Sequence, residues 1–157
     1  MYRKDKTEKD VRYILEHLRD ADRHECIIQR GDNYIDELTE EIMKDDNYFV
    51  LGAKKSDGTP VCMGGCSNTN EKGVGIVWFL STPEVVKYQF CLLKNIKRDI
   101  EMLTEDYYML FNFIYKENFL AKRWLSKFGF SFEQPKGLKI PEDFEMFYKV
   151  RKTRRLK

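Results

Sequence analysis

Few side chains in this sequence have the type and spacing of catalytic or metal-binding groups, and the cysteines are the candidates for a metal site. Cys62 and Cys66 have the spacing Cys-x-x-x-Cys inside an apolar run, and neither the two histidines nor Cys26 follows zinc-finger spacing. On a regular strand, residues four apart lie roughly 13 Å from each other, whereas Zn–S bonds are about 2.3 Å long. The sequence therefore predicts no metal site, and Cys91 is predicted to be a buried residue of a helix.

A second group of side chains could move protons. Asp22, His24 and Glu25 follow the first predicted helix, in the predicted connection to the next one. Carboxylates and imidazoles are common general acids and bases. The alternative is a solvated cluster of charges that caps helix ends, because charged residues are mostly exposed. Both interpretations stay open.

A third group lies at the end of the sequence, where residues 149–157 carry six basic side chains and no acidic one. Residues 1–148 carry 22 basic and 26 acidic side chains, a net charge of −4. The segment is either a frayed, solubilising end or a contact surface for phosphates or an acidic partner. Its candidate contact residues are Lys149, Arg151, Lys152, Arg154, Arg155 and Lys157.

Length and composition limit the class of protein. With 157 residues the chain has room for a single core. Its 28 basic and 26 acidic residues leave a net charge of +2, which argues against a histone-like protein, and its 14% aromatic residues argue against disorder. No apolar run approaches the roughly 20 residues of a membrane helix, and no secretory signal is evident. We expect a cytoplasmic protein.

The elements that must position these groups follow from hydrophobic spacing. Two N-terminal helices are predicted, the second capped by Asp32. Three strands in an antiparallel meander follow, with a bulge or kink at Gly64-Gly65. A long amphipathic helix over 83–103 and an apolar strand over 107–115 complete a right-handed βαβ crossover. The three strands of the meander are predicted over 48–53, 61–67 and 74–80. The last helix is predicted over 118–128, and the last two strands over 130–133 and 145–150.

One motif accompanies the last predicted helix: Asn118-x-x-Ala121-x-x-x-Leu125-x-x-x-Gly129-Phe130. Asn118 is also a typical N-cap, and Gly129 a typical helix stop. With the order of elements, the motif resembles the GNAT N-acetyltransferase superfamily. The resemblance implies an α/β (α+β) fold: a GNAT-like mixed, mostly antiparallel central sheet with a βαβ crossover and N-terminal helices. We predict one such domain over 1–148 and a basic C-terminal tail over 149–157.

The resemblance implies acetyl-CoA as the cofactor, with its pyrophosphate bound by a glycine-rich loop before the long helix. The corresponding stretch, 81–87, has no glycine, Pro83 lacks an N–H group, and Glu84 adds a negative charge. The favoured expectation is therefore that no cofactor binds, and acetyl-CoA remains the alternative. The candidate cofactor-binding residues are Phe79, Leu80, Ser81, Lys87 and Asn118.

The resemblance also implies a general acid and a general base. Leu125 replaces the tyrosine that serves as the acid in the motif, and it cannot donate a proton. Glu25 and His24 are the candidate catalytic residues, because the connection between the N-terminal helices borders the acceptor side in this fold. Three tyrosines could replace the missing acid, and the alternative is that they are aromatic packing residues: Tyr88, Tyr108 and Tyr115.

A narrower resemblance is to the GNAT-like internal virion or assembly proteins of short-tailed bacteriophages. The shared features are the strand over 78–81, the long basic helix, the Asn…Gly-Phe ending and the Asp22-x-x-Glu25 pair. This resemblance implies a non-catalytic or weakly catalytic particle protein in the host cytoplasm or the virion, with other phage structural proteins and DNA as partners. The alternative function is an active acyl-CoA-dependent N-acetyltransferase with an atypical loop.

Overall fold

The computed structural model describes residues 1–152. Its N-terminal region contains three helices, after a short first strand, rather than the two helices predicted. The additional helix is the segment predicted to be a connection. Only Asp22 and Cys26 are buried in it, so no apolar stripe marks it in the sequence. Asn33, not Asp32, precedes the third helix, and its side chain makes no capping hydrogen bond. The first elements are β1 (Tyr2–Lys4), α1 (Glu8–Glu16), α2 (Asp20–Arg30) and α3 (Tyr34–Lys44).

The middle of the chain forms the predicted strands β2 (Tyr48–Ala53), β3 (Pro60–Asn68) and β4 (Val74–Ser81). Strands β2 and β3 pair antiparallel, and their register shifts between Gly52 and Ala53. No bulge interrupts the pairing of Gly64 and Gly65 with β2, because both residues keep a continuous register with that strand.

Close packing explains the two glycines instead. A Cβ atom on Gly64 would lie 2.9 Å from the carbonyl oxygen of Trp78. On Gly65 it would lie 2.6 Å from the carbonyl oxygen of Tyr48. Real Cβ atoms do not approach other atoms so closely, so these positions need glycine to let backbone and ring come near.

The long helix predicted over 83–103 is two segments. A 3-10 helix, Pro83–Tyr88, precedes α4, Gln89–Asp106, and Pro83 stands in the first turn as predicted. The predicted apolar face is confirmed where Val85, Leu92, Ile100 and Leu103 are buried. Cys91 is exposed, contrary to the prediction. It lies in the first turn of α4, where Phe90 is also exposed, at 94%.

The C-terminal elements are β5 (Met109–Tyr115), α5 (Phe119–Lys127), β6 (Ser131–Glu133) and β7 (Phe144–Val150). The parallel pairing of β4 with β5 over Val74–Ile76 confirms the predicted βαβ crossover, whereas its right-handedness stays a prediction. Strand β7 pairs antiparallel with both β5 and β6. Gly129 ends α5 at φ +88°, and the N–H of Phe130 donates to the Leu125 carbonyl at 3.0 Å, so the predicted helix stop is confirmed.

Within the described residues 1–152, the sheet has seven strands in the order β1-β2-β3-β4-β5-β7-β6, which confirms the predicted fold class. The chain divides into two compact units: unit 1 is Met1–Ser67 with Val77–Leu92, and unit 2 is Asn68–Ile76 with Leu93–Lys157. The single domain over 1–148 stays a prediction.

Each unit has its own apolar interior. In unit 1, α1 contributes Val11, Ile14 and Leu15, which are fully buried in one cluster with side chains of β2 and β3. In unit 2, Phe130 packs edge-on against Phe147 with the ring centroids 5.4 Å apart. Within residues 1–152, no helix is long and apolar enough to cross a membrane, and no group of three ligating side chains could hold a metal ion.

Candidate functional site

A buried carboxylate of α2 meets the C-terminal end of β4 inside unit 1. Asp22 is 3% exposed and Ser81 is fully buried. The Ser81 N–H donates to Asp22 Oδ2 at 3.1 Å, and the Ser81 hydroxyl donates to the same oxygen at 3.3 Å. The Arg19 guanidinium lies 3.9 Å from Asp22 Oδ1. The end of β4 therefore already holds an anion, supplied by the chain itself.

The next residues of the loop also have internal partners. The Thr82 N–H and hydroxyl both donate to the Val61 carbonyl, at 2.9 and 3.2 Å. Pro83 has no N–H group, and the Val85 N–H donates to the Thr82 carbonyl at 3.1 Å. An incoming anion would have to break these contacts, because the main-chain donors of Ser81, Thr82 and Val85 are engaged.

The Glu84 carboxylate is held between two lysines at the start of the 3-10 helix. Its Oε2 lies 3.2 Å from Lys54 Nζ and 3.3 Å from Lys87 Nζ. Hydrogen bonds from Lys54 and then from Lys87 lower the pKa of Glu84, and the bond to Glu84 raises the pKa of Lys54. The group is ionised at neutral pH, with both neighbouring cations already paired to it.

The predicted cofactor-binding residues of unit 1 differ in accessibility. Leu80 belongs to the apolar core and is 9% exposed. Phe79 is half-buried with its ring beside Gly64. Lys87 is exposed and paired with Glu84, while Ser81 is buried against Asp22. Leu80 and Ser81 therefore stabilise the fold at this position.

Asn118, the remaining predicted cofactor residue, belongs to unit 2 and is 2% exposed. It occupies the N-cap position of α5, and its carbonyl accepts the Lys122 N–H at 3.0 Å. Its side chain makes no capping hydrogen bond. The predicted N-cap position of Asn118 is therefore confirmed, but the side-chain hydrogen bond that asparagine usually makes there is absent.

The predicted catalytic residues His24 and Glu25 are half-buried residues of α2, not of a connection between helices. Their helix carries several negative charges next to a thiol. Burial, followed by the charges of Asp22 and Glu25, raises the pKa of Cys26 to about 12. This thiol is therefore not a nucleophile at neutral pH.

Two tyrosines that could replace the missing acid are bonded to carboxylates in unit 2. The Tyr108 hydroxyl donates to Glu71 Oε1 at 3.1 Å, and the Tyr115 hydroxyl donates to Glu117. In both cases this hydrogen bond is the main cause that raises the pKa of the tyrosine. A raised pKa makes each phenol a weaker acid.

The basic end of the chain begins later than the sequence indicated. Lys149 lies in β7, half-buried, and its Nζ donates to the Phe128 carbonyl at 2.6 Å, at the end of α5. Burial lowers the pKa of Lys149. Arg151 is exposed and donates to the Glu105 carbonyl at 3.0 Å, and Lys152 is exposed. Arg154, Arg155 and Lys157 lie outside the described residues.

Sequence reasoning missed two cations of this site, Arg19 and Lys54. Arg19 stands three residues before Asp22, a spacing that brings side chains together on a helix. Lys54 directly follows β2, and it is far from Glu84 in the sequence. The first contact had a local signal, whereas the second depends on the folded sheet.

The chain matches no protein-family model and no curated protein. Solved structures do resemble it over almost their whole length. A GNAT-family acetyltransferase from Streptococcus pneumoniae is 14% identical, with a TM-score of 0.62 and coverage of 95% of this chain and 98% of that one.

Two further structures match equally well. Spermidine N-acetyltransferase from Vibrio cholerae, solved with CoA and spermine, is 13% identical, with a TM-score of 0.66 and coverage of 96% and 95%. Ribosomal-protein-alanine N-acetyltransferase from Brucella melitensis is 14% identical, with a TM-score of 0.66 and coverage of 96% and 99%. The chain therefore has the fold of the GNAT acetyltransferases.

Proposed function

We propose that this protein uses the GNAT fold without turning over acyl-CoA. The supporting observation is the loop after β4, in which Asp22 occupies the Ser81 donors and Glu84 holds two lysines. A pyrophosphate is bound by free main-chain N–H groups and uncompensated cations at a helix start. Here the N–H groups of Ser81, Thr82 and Val85 are engaged, Pro83 has none, and a carboxylate stands between the two lysines, which disfavours a CoA pyrophosphate.

The second candidate function is an active N-acetyltransferase. It is supported by the full-length likeness to acetyltransferases, one of them solved with CoA and spermine. In that case Phe79 and Lys87 would face the cofactor, and His24 or Glu25 would accept the proton of an amine. This function requires the lysines to release Glu84, which keeps acetyl-CoA binding as a direct test.

Calorimetry and turnover separate the two functions. We expect wild-type protein to give no binding heat with acetyl-CoA at about 1 mM, which corresponds to a binding free energy weaker than roughly −4 kcal/mol. We also expect no thioester consumption with spermidine or an N-terminal alanine peptide as the amine. Saturable binding together with amine-dependent release of CoA would refute the proposal and establish the second function.

A matched variant shows whether Glu84 matters. Glu84→Gln leaves Lys54 and Lys87 without their carboxylate and keeps the shape of the side chain. If the carboxylate disfavours anions here, inorganic pyrophosphate should bind this variant more tightly than wild type. Equal affinities in calorimetry would contradict that role for Glu84.

We further propose, from the sequence resemblance to bacteriophage proteins, a structural or assembly role in a phage particle. Other phage structural proteins would be the partners, and the host cytoplasm and the virion would be the locations. Mass spectrometry of purified particles of the encoding phage is the test. Recovery of the chain in a fixed ratio to the capsid protein, in particles or in assembly intermediates, supports the role, and its absence from both contradicts it.

A further inference from the structure

The charged side chains of α4 are sorted by sign along the helix, and all of them belong to unit 2. The basic residues come first: Lys94, Lys97 and Arg98, which are all exposed. The acidic residues follow over 99–106, and the last turn holds no basic side chain. A helix is stabilised by acidic side chains near its start and by basic ones near its end. This order of charges is the reverse, so it does not serve the stability of the helix.

The three basic residues, called here the basic face of α4, also repel one another. Residues three and four positions apart are neighbours on a helix, with about 5–6 Å between their Cβ atoms. Lys94 therefore lies beside Lys97 and Arg98, and like charges at this spacing destabilise a helix. Within residues 1–152, none of the three side chains makes an ion pair or a hydrogen bond. The basic face of α4 therefore carries positive charge that its own unit does not neutralise.

The end of β7 lies beside this face and adds further positive charge. Burial lowers the pKa of Lys149, the charge of Glu101 raises it, and the charges of Lys152 and Lys97 lower it. Charges act on each other mainly at short range, so the end of β7 lies next to the middle of α4. Lys149 is engaged with the Phe128 carbonyl, whereas Lys152 is exposed. In the sequence, Lys152 is followed by three more basic residues: Arg154, Arg155 and Lys157.

Side-by-side cations of this kind fit a polymer of negative charges better than one small anion. A small anion is held by donors that converge on it, whereas these three side chains stand next to one another on a helix surface. A nucleic-acid strand carries one phosphate charge about every 3.4 Å along its axis, so several phosphates can meet the three cations together. No acidic residue interrupts the stretch 94–98, where such a strand would approach.

We propose that the basic face of α4 binds the backbone phosphates of a nucleic acid. The proposal goes beyond the proposed function, which assigns no ligand to this helix, and it places phosphate contacts on a folded element in addition to the basic end of the chain. Phosphate contacts carry no sequence information, so binding should not depend on the sequence of the nucleic acid. The acidic half of α4 repels the same backbone, so a strand should cross the helix near its basic face.

The test is the salt dependence of binding to a short duplex DNA of mixed sequence, measured by fluorescence anisotropy. Wild type should bind, with an affinity that falls as salt rises. The triple variant Lys94→Gln, Lys97→Gln and Arg98→Gln should bind more weakly. Its slope of log binding constant against log salt concentration should be smaller by about 2.7, at roughly 0.9 for each lost phosphate contact. Absence of binding by wild type at low salt, or an unchanged slope in the variant, would overturn the proposal.

A charge-matched triple variant separates local contacts from the effect of net charge. Lys9, Lys55 and Lys72 are exposed, and within residues 1–152 their side chains likewise make no ion pair. They lie in α1 and in the turns after β2 and β3. Replacement of all three by Gln removes the same charge from other parts of the surface, so the slope should stay close to that of wild type. Equal reductions in the two triple variants would overturn the proposal.

Glu101→Gln covers the case in which the first triple variant does not fold. Glu101 is exposed and stands one helical turn after Lys97, so this change removes a negative charge next to the basic face. The variant should bind the duplex more tightly than wild type, and equal or weaker binding would overturn the proposal. Poly-L-glutamate serves as the competitor. Preference of wild type for this polymer over DNA would assign the face to an acidic protein, and would also overturn the proposal.

Discussion

Replacement of Gly65 by Ala should destabilise unit 1 strongly. The new Cβ would lie 2.6 Å from the Tyr48 carbonyl oxygen and 2.9 Å from two atoms of the Trp78 ring. Ordinary contact begins at 3.4 Å, so the closest neighbour must retreat by 0.8 Å, and that neighbour is main chain. Overpacking of a rigid site costs typically 1–3 kcal/mol, and we expect about 3 kcal/mol here.

The assay is urea and thermal unfolding followed by far-ultraviolet circular dichroism, because the Trp78 fluorescence is itself perturbed. For a chain of this length the expected fall in Tm is roughly 6–12 °C, at about 2–4 °C per kcal/mol. Gly52→Ala is the control, since the nearest neighbours of its Cβ would be the Cys62 sulfur at 3.1 Å and the flexible Met1 side chain at 3.2 Å. A smaller loss for Gly65→Ala than for Gly52→Ala would refute the reasoning.

Three further predictions concern thiols, a buried lysine and the basic end. In native protein an aromatic disulfide reagent should label Cys91 rapidly and the three buried cysteines slowly, and Cys91→Ser should abolish the rapid phase. Burial lowers the pKa of Lys149 from 10.5, so the free energy of unfolding should rise with pH between the native pKa of Lys149 and 10.5. Lys149→Met should remove this rise when urea unfolding is compared across that pH interval. Deletion of 153–157 should weaken binding to duplex DNA, and it should reduce the slope of log binding constant against log salt concentration by roughly 0.9 for each phosphate that the shortened chain no longer neutralises. Lys149→Met should leave this slope unchanged. An equal effect of both changes in filter binding would contradict the prediction that 153–157 bind phosphates.

The sequence was most informative where hydrophobic spacing is regular. The apolar runs of β2, β4 and β5 and the 3–4 spacing of α4 predicted the crossover and the sheet class. Gly129 predicted the end of α5, because helices often end at a position with positive φ, which glycine adopts readily. These features depend on neighbours a few residues away, which is the range that periodicity describes.

The parts that the sequence did not predict depend on distant contacts. Helix α2 has two buried residues, and one of them, Asp22, is charged, so no apolar stripe marked it. Its burial makes sense only with Ser81, 59 positions later. In the same way, Gly64 and Gly65 are required by Trp78 and Tyr48, not by any local bend. Long-range contacts of this kind cannot be deduced from spacing alone.

The two edges of the sheet limit how other molecules can engage this protein. The edge strands β1 and β6 have three residues each, and β1 carries Arg3 and Lys4. Short and charged edge strands disfavour the addition of a further strand, and so disfavour polymerisation through the sheet. Recognition through side chains on helices and loops avoids this edge, so surface residues can change without altering the strands.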